Sequence, residues 1–158
     1  MDTLNTKLDL LINNLRRAQA LISFAESCTG GKLSAKLAEK PGVSDIYVGS
    51  VVSYANSAKE DILGVLRETI QKFGAVSEQV ALEMAKGAVM CLRSTWSLSI
   101  TGVAGPSGGT SAKPVGTVCF AVVGPNFELT TTKLFSGSRI EIQEQAVSFA
   151  VDLINKQF

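Results

Sequence analysis

Between residues 20 and 40 the chain passes from an apolar run, through a turn of small hydroxyl residues and glycine, into a helical repeat. Ala20 to Ala25 is almost wholly apolar and predicts a short buried strand. Ala25-Glu26-Ser27-Cys28-Thr29-Gly30-Gly31 follows, and Lys32 to Lys40, with Leu33 and Leu37 four apart, predicts a short helix. The first N–H groups of a helix lack partners within it, and the helix dipole favours an anion at that end. The turn therefore aims hydroxyls and free amides at a ligand. The same pattern also serves as a capped helix start whose glycines allow tight strand–helix packing, so by itself the turn selects neither reading.

The remaining segments continue the alternation. Leu4, Leu8, Leu11, Ile12 and Leu15 recur at helical spacing and predict an opening amphipathic helix ending near Arg17. Pro41-Gly42 stops the second helix, and Ile46 to Tyr54, rich in β-branched and aromatic residues, predicts a second strand. Asn56 or Ser57 is placed to cap a short helix that closes near Gly64. Ser77 caps a long helix with Val80, Met84, Ala88 and Leu92 on its core stripe. Trp96 to Ile100 predicts a third strand, Thr117 to Val123 a fourth, and Glu128 to Phe135 an antiparallel edge strand. Ser138-Arg139-Ile140-Glu141 is a capping box for a final helix that buries Ala146, Val147, Ala150, Leu153 and Ile154. Together these predict one domain over residues 1–158: a three-layer α/β/α sandwich with a mixed, mostly parallel sheet.

Composition narrows the chemistry. Among 158 residues there is no histidine, which removes Ser-His-Asp and Cys-His mechanisms and the commonest metal ligand. The three cysteines are scattered and match neither a disulfide framework nor a zinc spacing, so a reducing, cytoplasmic setting is expected. With 15 basic and 14 acidic residues intermixed, there is no clustered basic face for nucleic acid. No apolar run approaches the length that crosses a bilayer, and the N-terminal stretch lacks the apolar core of a signal peptide.

In open α/β sheets ligands bind beyond the carboxyl ends of the strands. Three polar loops fall there and are expected to converge: Ser27 to Gly31, Tyr54 to Lys59, and Thr101 to Lys113. The first offers Ser27 and Thr29 with the backbone of Gly30 and Gly31, and the second Tyr54, Asn56 and Lys59. The third offers Thr101 and a glycine backbone, Gly102, Gly105, Gly108 and Gly109, that a ligand can approach closely. Without histidine, a serine nucleophile needs another base, and a desolvated lysine serves once its pKa falls. Lys59 near a helix start suits that role, although a solvated surface lysine fits the same position. Cys28 is a rival nucleophile or a small buried filler. Arg139 either holds a phosphate or pairs with Glu141.

At these residues the chain resembles the CinA C-terminal domain family. AESCTGG, the YxNxxK of Tyr54 to Lys59 followed by LGV, GAVSE, TGVAGPSGG and KPVGTV occur in the family's order from about Leu4 to the last helix. That family includes stand-alone nicotinamide mononucleotide (NMN) deamidases, so the resemblance implies hydrolysis of the NMN carboxamide to nicotinic acid mononucleotide and ammonia. It implies Ser27 as nucleophile, Lys59 as base and Tyr54 as an aid to proton transfer, with no cofactor and no metal. Backbone amides near Thr29 and Gly30, or in the Gly102 to Gly105 loop, would form the oxyanion hole. Arg139 and the glycine loop would hold the nucleotide phosphate. A homo-oligomer is expected, with the N-terminal helix available as an interface. The family also occurs fused behind a larger N-terminal domain, for which these 158 residues leave no room. The position often acidic in the GPxGG loop is Ser107 here. A nucleotide-binding module without catalysis is the alternative. Phosphoryl transfer fits less well, because GxxxxGK[ST] is missing and no acidic pair is placed to hold magnesium.

Overall fold

A computed structural model describes residues 3–158; Met1 and Asp2, at the start of the expected amphipathic stretch, lie outside the described residues. The elements run α1 (Leu4–Ala18), β1 (Ile22–Glu26), α2 (Lys32–Ala38), a 3-10 turn (Val43–Asp45), β2 (Tyr47–Val52), α3 (Asn56–Leu63), α4 (Arg67–Phe73), α5 (Glu78–Leu92), β3 (Trp96–Gly102), β4 (Thr117–Gly124), β5 (Phe127–Leu134) and α6 (Arg139–Asn155). The five strands form one sheet in the order β2-β1-β3-β4-β5. β1 pairs parallel with both β2 and β3, while β3–β4 and β4–β5 are antiparallel, so β4 alone runs against the rest. The sheet lies between two helical layers, giving the expected three-layer mixed α/β fold.

The strands carry two different faces because side chains alternate along them. Ile22 and Phe24 of β1, Leu98 and Ile100 of β3, and Val118, Phe120 and Val122 of β4 meet α1, α2 and α6 in the main core. Phe120 packs on Phe149 with ring centroids 4.8 Å apart and on Phe135 at 6.2 Å. Burying a phenylalanine of this kind is worth about 1.5–3 kcal/mol. The opposite face is made of small residues, Ala25, Cys119 and Ala121 with Ser23, Ser97 and Ser99 between them, and α5 lies against it. Small side chains let this helix approach closely, and Ser99 Oγ donates 2.5 Å to the Ala81 carbonyl of α5.

Several boundaries differ from the sequence reading for identifiable reasons. β3 continues through Thr101 and Gly102, read as loop residues, because they pair with Cys119 and Val118 of β4. α3 begins at Asn56 with Ala55 as its N-cap and no side-chain cap bond, so neither Asn56 nor Ser57 caps it. Ser77 and the Ser138–Glu141 box do cap α5 and α6 as expected. α1, expected to be available as an interface, buries Leu8, Leu11, Ile12 and Leu15 in the main core, where α6 packs against it. No helix among the described residues is long and apolar enough to cross a membrane.

The strand order places the site. From β1 the chain moves to β2 through α2 on one side of the sheet, then crosses back over β1 to β3 through α3, α4 and α5 on the other. Connections leaving toward opposite faces open a crevice beyond the carboxyl ends of β1 and β3.

Candidate active site

Alternation along β1 sends Glu26 to the α2 side of the sheet and Ser27, one residue on, toward the α3 side. Glu26 is fully buried, and its carboxylate accepts from Leu33 N–H at 3.0 Å, Ser34 N–H at 2.9 Å, the Ser34 hydroxyl and Thr29 Oγ1 at 2.6 Å. A carboxylate at that helix start satisfies orphan amides and meets the favourable end of the dipole. Glu26 was not among the sequence candidates. Its signal was a charged residue closing an otherwise apolar strand directly before a helix.

Ser27 is 7% exposed, and its N–H donates to the Ile100 carbonyl of β3 at 2.9 Å. Across the crevice stands Lys59, in the first half of α3 and 1% exposed. Its Nζ lies 3.0 Å from Ser27 Oγ, 2.9 Å from the Ser53 carbonyl and 3.2 Å from that of Tyr54. An ammonium has three protons and no acceptor, so these contacts use every donor it has. Burial pushes the Lys59 pKa below the ordinary amine value, with the neighbouring Cys28 opposing the shift. The Cys28 thiol is pushed up to about 12 by its burial. Burial thus disfavours the thiolate, the reactive form of a cysteine.

A cavity of about 150 Å³ opens on this pair and is lined by Ser27, Lys59, Tyr54, Asn56, Thr101, Gly102 and Arg139 from the expected set. Cys28, Ala75, Val76 and Ala104 complete it. Ala75 and Val76 come from the α4–α5 turn, the GAVSE block, which the sequence reading counted toward the family resemblance without placing it at the site. Thr101 Oγ1 ties that turn down by donating 2.9 Å to the Ala75 carbonyl. The floor of the cavity carries Lys59, and Arg139 enters from the α6 side. Arg139 Nη1 donates 2.6 Å to the Gly105 carbonyl and Nη2 2.5 Å to the Tyr54 hydroxyl. One guanidinium thus ties α6 to the loops after β2 and β3. Glu141, the alternative partner considered for Arg139, accepts instead from the Ser138 N–H at 2.7 Å within the capping box.

The structure brings the three loops together but leaves several expected contacts outside the cavity. Thr29, Gly30, Gly31, Gly105, Gly108 and Gly109 do not line it. The Thr29 hydroxyl is committed to Glu26, and the Gly30 N–H to the Ser27 carbonyl at 3.0 Å. Gly105 has φ +78° and lies where a Cβ would come 2.4 Å from Val115 Cγ1. Gly105 and Gly109, where a Cβ would meet Val115 and Pro114, are thus explained by packing onto that segment rather than by approach to a ligand. Lys113 turns away and donates 2.5 Å to the Phe73 carbonyl, beside a wider groove of about 600 Å³ between the α4–α5 turn and β4. Among the described residues no three His, Cys, Asp or Glu side chains gather to hold a metal ion.

A three-layer α/β domain with a buried serine–lysine pair at its strand ends is the class that this fold and site define. The CinA C-terminal domain model matches residues 5–158, and the chain belongs to that family. A CinA-like protein of Fervidobacterium nodosum is 47% identical over 148 residues, 94% of this chain and 36% of the relative. One of Prochlorococcus marinus is 47% identical over 145 residues, covering 91% of this chain and 34% of the relative. The chain therefore spans about a third of the length of these curated relatives. Among solved structures it is similar to a competence or damage-inducible protein from Enterobacter asburiae, with TM-score 0.96, 36% identity and 99% of each chain covered. A CinA superfamily protein from Escherichia coli superposes with TM-score 0.95 at 34% identity, covering 99% of this chain and 91% of that one.

Proposed function

We propose that this chain is an amidohydrolase that converts NMN to nicotinic acid mononucleotide and ammonia, with Ser27 as nucleophile and Lys59 as base. The observation that carries the reading is the buried contact between Lys59 Nζ and Ser27 Oγ, 3.0 Å apart at the cavity wall. Neutral Lys59 takes the Ser27 proton as Oγ bonds to the carboxamide carbon. Backbone N–H groups hold the resulting oxyanion. Collapse of the tetrahedral species breaks the C–N bond, and Lys59 returns its proton to the departing ammonia. Water then attacks the acyl ester, Lys59 accepts its proton, and Ser27 leaves as the hydroxyl.

Cavity size and charge support a nucleotide of this kind. The cavity volume, about 150 Å³, matches that of a cavity that takes one six-membered aromatic ring, and its mixed polar lining also suits a carboxamide. The ribose and phosphate then extend past Tyr54 and Asn56, both exposed at the mouth. Arg139 there supplies a guanidinium, a group suited to phosphate. With Lys59 neutral, Arg139 is the charged side chain lining the cavity, and no carboxylate lines it. An anionic ligand is favoured.

The test is ammonia release from NMN by purified protein beside its Ser27→Ala variant, with NMN binding followed by calorimetry. Ammonia and the acid from the wild type alone support the reading. Binding without turnover by the wild type would return the domain to a non-catalytic nucleotide module.

A further inference from the structure

Two successive peptide planes follow the Ser27 side chain, and each is held by its carbonyl. The Ser27 carbonyl accepts from Gly30 N–H at 3.0 Å. The Cys28 carbonyl accepts from Gln143 Nε2 of α6 at 2.9 Å. A trans peptide sets its N–H opposite its C=O, so these bonds fix where the N–H groups of Cys28 and Thr29 point. Neither amide donates to another residue among the described residues, the Cys28 N–H facing only its own thiol, although Cys28 is 5% and Thr29 3% exposed. Orphaned buried N–H groups are rare. Both lie in peptide planes that include Cys28, which lines the cavity although Thr29 does not, and two amides in succession directly after a nucleophile are donors of the kind a developing oxyanion requires.

The Gln143 amide is itself oriented. Lys32 Nζ, which can only donate, lies 2.9 Å from Gln143 Oε1, so the NH2 group faces the Cys28 carbonyl. Lys32 is the first residue of α2, where the helix dipole disfavours a cation. A lysine in that place is explained by what it does for Gln143. Gln143 does not line the cavity and acts only through the loop it holds.

We propose that Gln143, oriented by Lys32, is a positioning residue that sets the Cys28 and Thr29 amides as the oxyanion donors for attack by Ser27. The proposal rests on the serine-amidase reading above. It is tested on the full chain with Gln143→Leu, which keeps the side-chain bulk and removes the bond, and with Lys32→Met. The readouts are kcat and KM for ammonia release from NMN, the rate at which an alkyl fluorophosphonate labels Ser27, and the thermal midpoint. In the labelling step Oγ bonds to phosphorus as fluoride departs, and the phosphonyl oxygen takes the same donors.

Gln143→Leu is expected to lower kcat by about ten- to a hundredfold with KM nearly unchanged, short of the 10²–10³ loss when an oxyanion donor is removed outright. The labelling rate should fall in parallel, and Lys32→Met should act in the same direction more weakly. Wild-type kcat and labelling in both variants would overturn the proposal, as would a raised KM at constant kcat. If Gln143→Leu loses its cooperative thermal transition, Lys32→Met decides alone. A wild type that is labelled but releases no ammonia would refute the substrate and leave the labelling rates to decide the role of Gln143. A wild type that does neither would refute the nucleophile and this proposal together.

Discussion

Lys59 Nζ lies 3.0 Å from Ser27 Oγ although 32 residues separate them, and both side chains are buried. The contact exists because α3 carries Lys59 to the carboxyl end of β1, bringing an amine and a hydroxyl together where both are largely shielded from bulk water. Desolvation favours the neutral amine, the form able to accept the serine proton.

Ser27→Ala removes the proposed nucleophile and leaves the fold intact, since the Ser27 backbone bonds do not depend on Oγ. Turnover of NMN should fall by about three or more orders of magnitude while calorimetric affinity changes little. Near-normal turnover by the variant would exclude the serine route.

The pH profile has a defined sign. Lys59 has its pKa lowered from 10.5 by burial, so as the proposed base it becomes available as pH rises, and kcat/KM should climb to a plateau on the alkaline side. Lys59→Arg should be inactive throughout, because a guanidinium keeps its proton at any working pH. The same shift means the unfolded chain binds more protons between the folded and unfolded pKa values. Stability from this group therefore increases as pH rises toward 10.5. A wild-type profile flat in pH would remove Lys59 from the proton transfer.

Arg139 holds the Tyr54 hydroxyl and the Gly105 carbonyl together. Arg139→Lys cannot reproduce that fork. We expect KM for NMN to rise about tenfold, the equivalent of about 1.4 kcal/mol and the scale of one hydrogen bond to a charged group. Tyr54→Phe should have a smaller effect on KM. Steady-state kinetics on both variants checks the order.

Glu26→Ala should act on stability. It would strand the Leu33 and Ser34 amides and free the Thr29 hydroxyl, at a cost of about 3 kcal/mol. Denaturant titration measures the loss. An unchanged midpoint would show that α2 satisfies its own start.

Gly87, inside α5, faces the Leu63 carbonyl, and a Cβ there would lie 2.0 Å from that oxygen. Gly87→Ala must therefore push away α3, the helix that carries Lys59. Activity should fall even where the domain still unfolds cooperatively. Retained wild-type kcat would mean that the helices separate without moving Lys59.

Much of this molecule is local and was therefore legible. Apolar runs set β1, β3 and β4, helical spacing set α1, α5 and α6, and the Ser77 and Ser138 caps read directly because capping involves residues three apart. The alternation of elements and the absence of histidine narrowed both the fold and the chemistry, and the blocks from AESCTGG to KPVGTV pointed to the family. The roles of individual polar groups were not legible, because a hydrogen bond between distant segments leaves no periodic trace. Thr29 looked like a ligand contact until Glu26 took its hydroxyl, and Gly105 and Gly109 looked like part of a cradle until Val115 filled the space beside them. Gln143 and Lys32, 111 residues apart, drew no reading from the sequence as a pair. Sequence alone determined which segments form and which chemistry they carry, since periodicity and residue type are properties of neighbours. Only tertiary structure decided which amine meets which hydroxyl and which amides stay free, since burial and direction arise when layers pack.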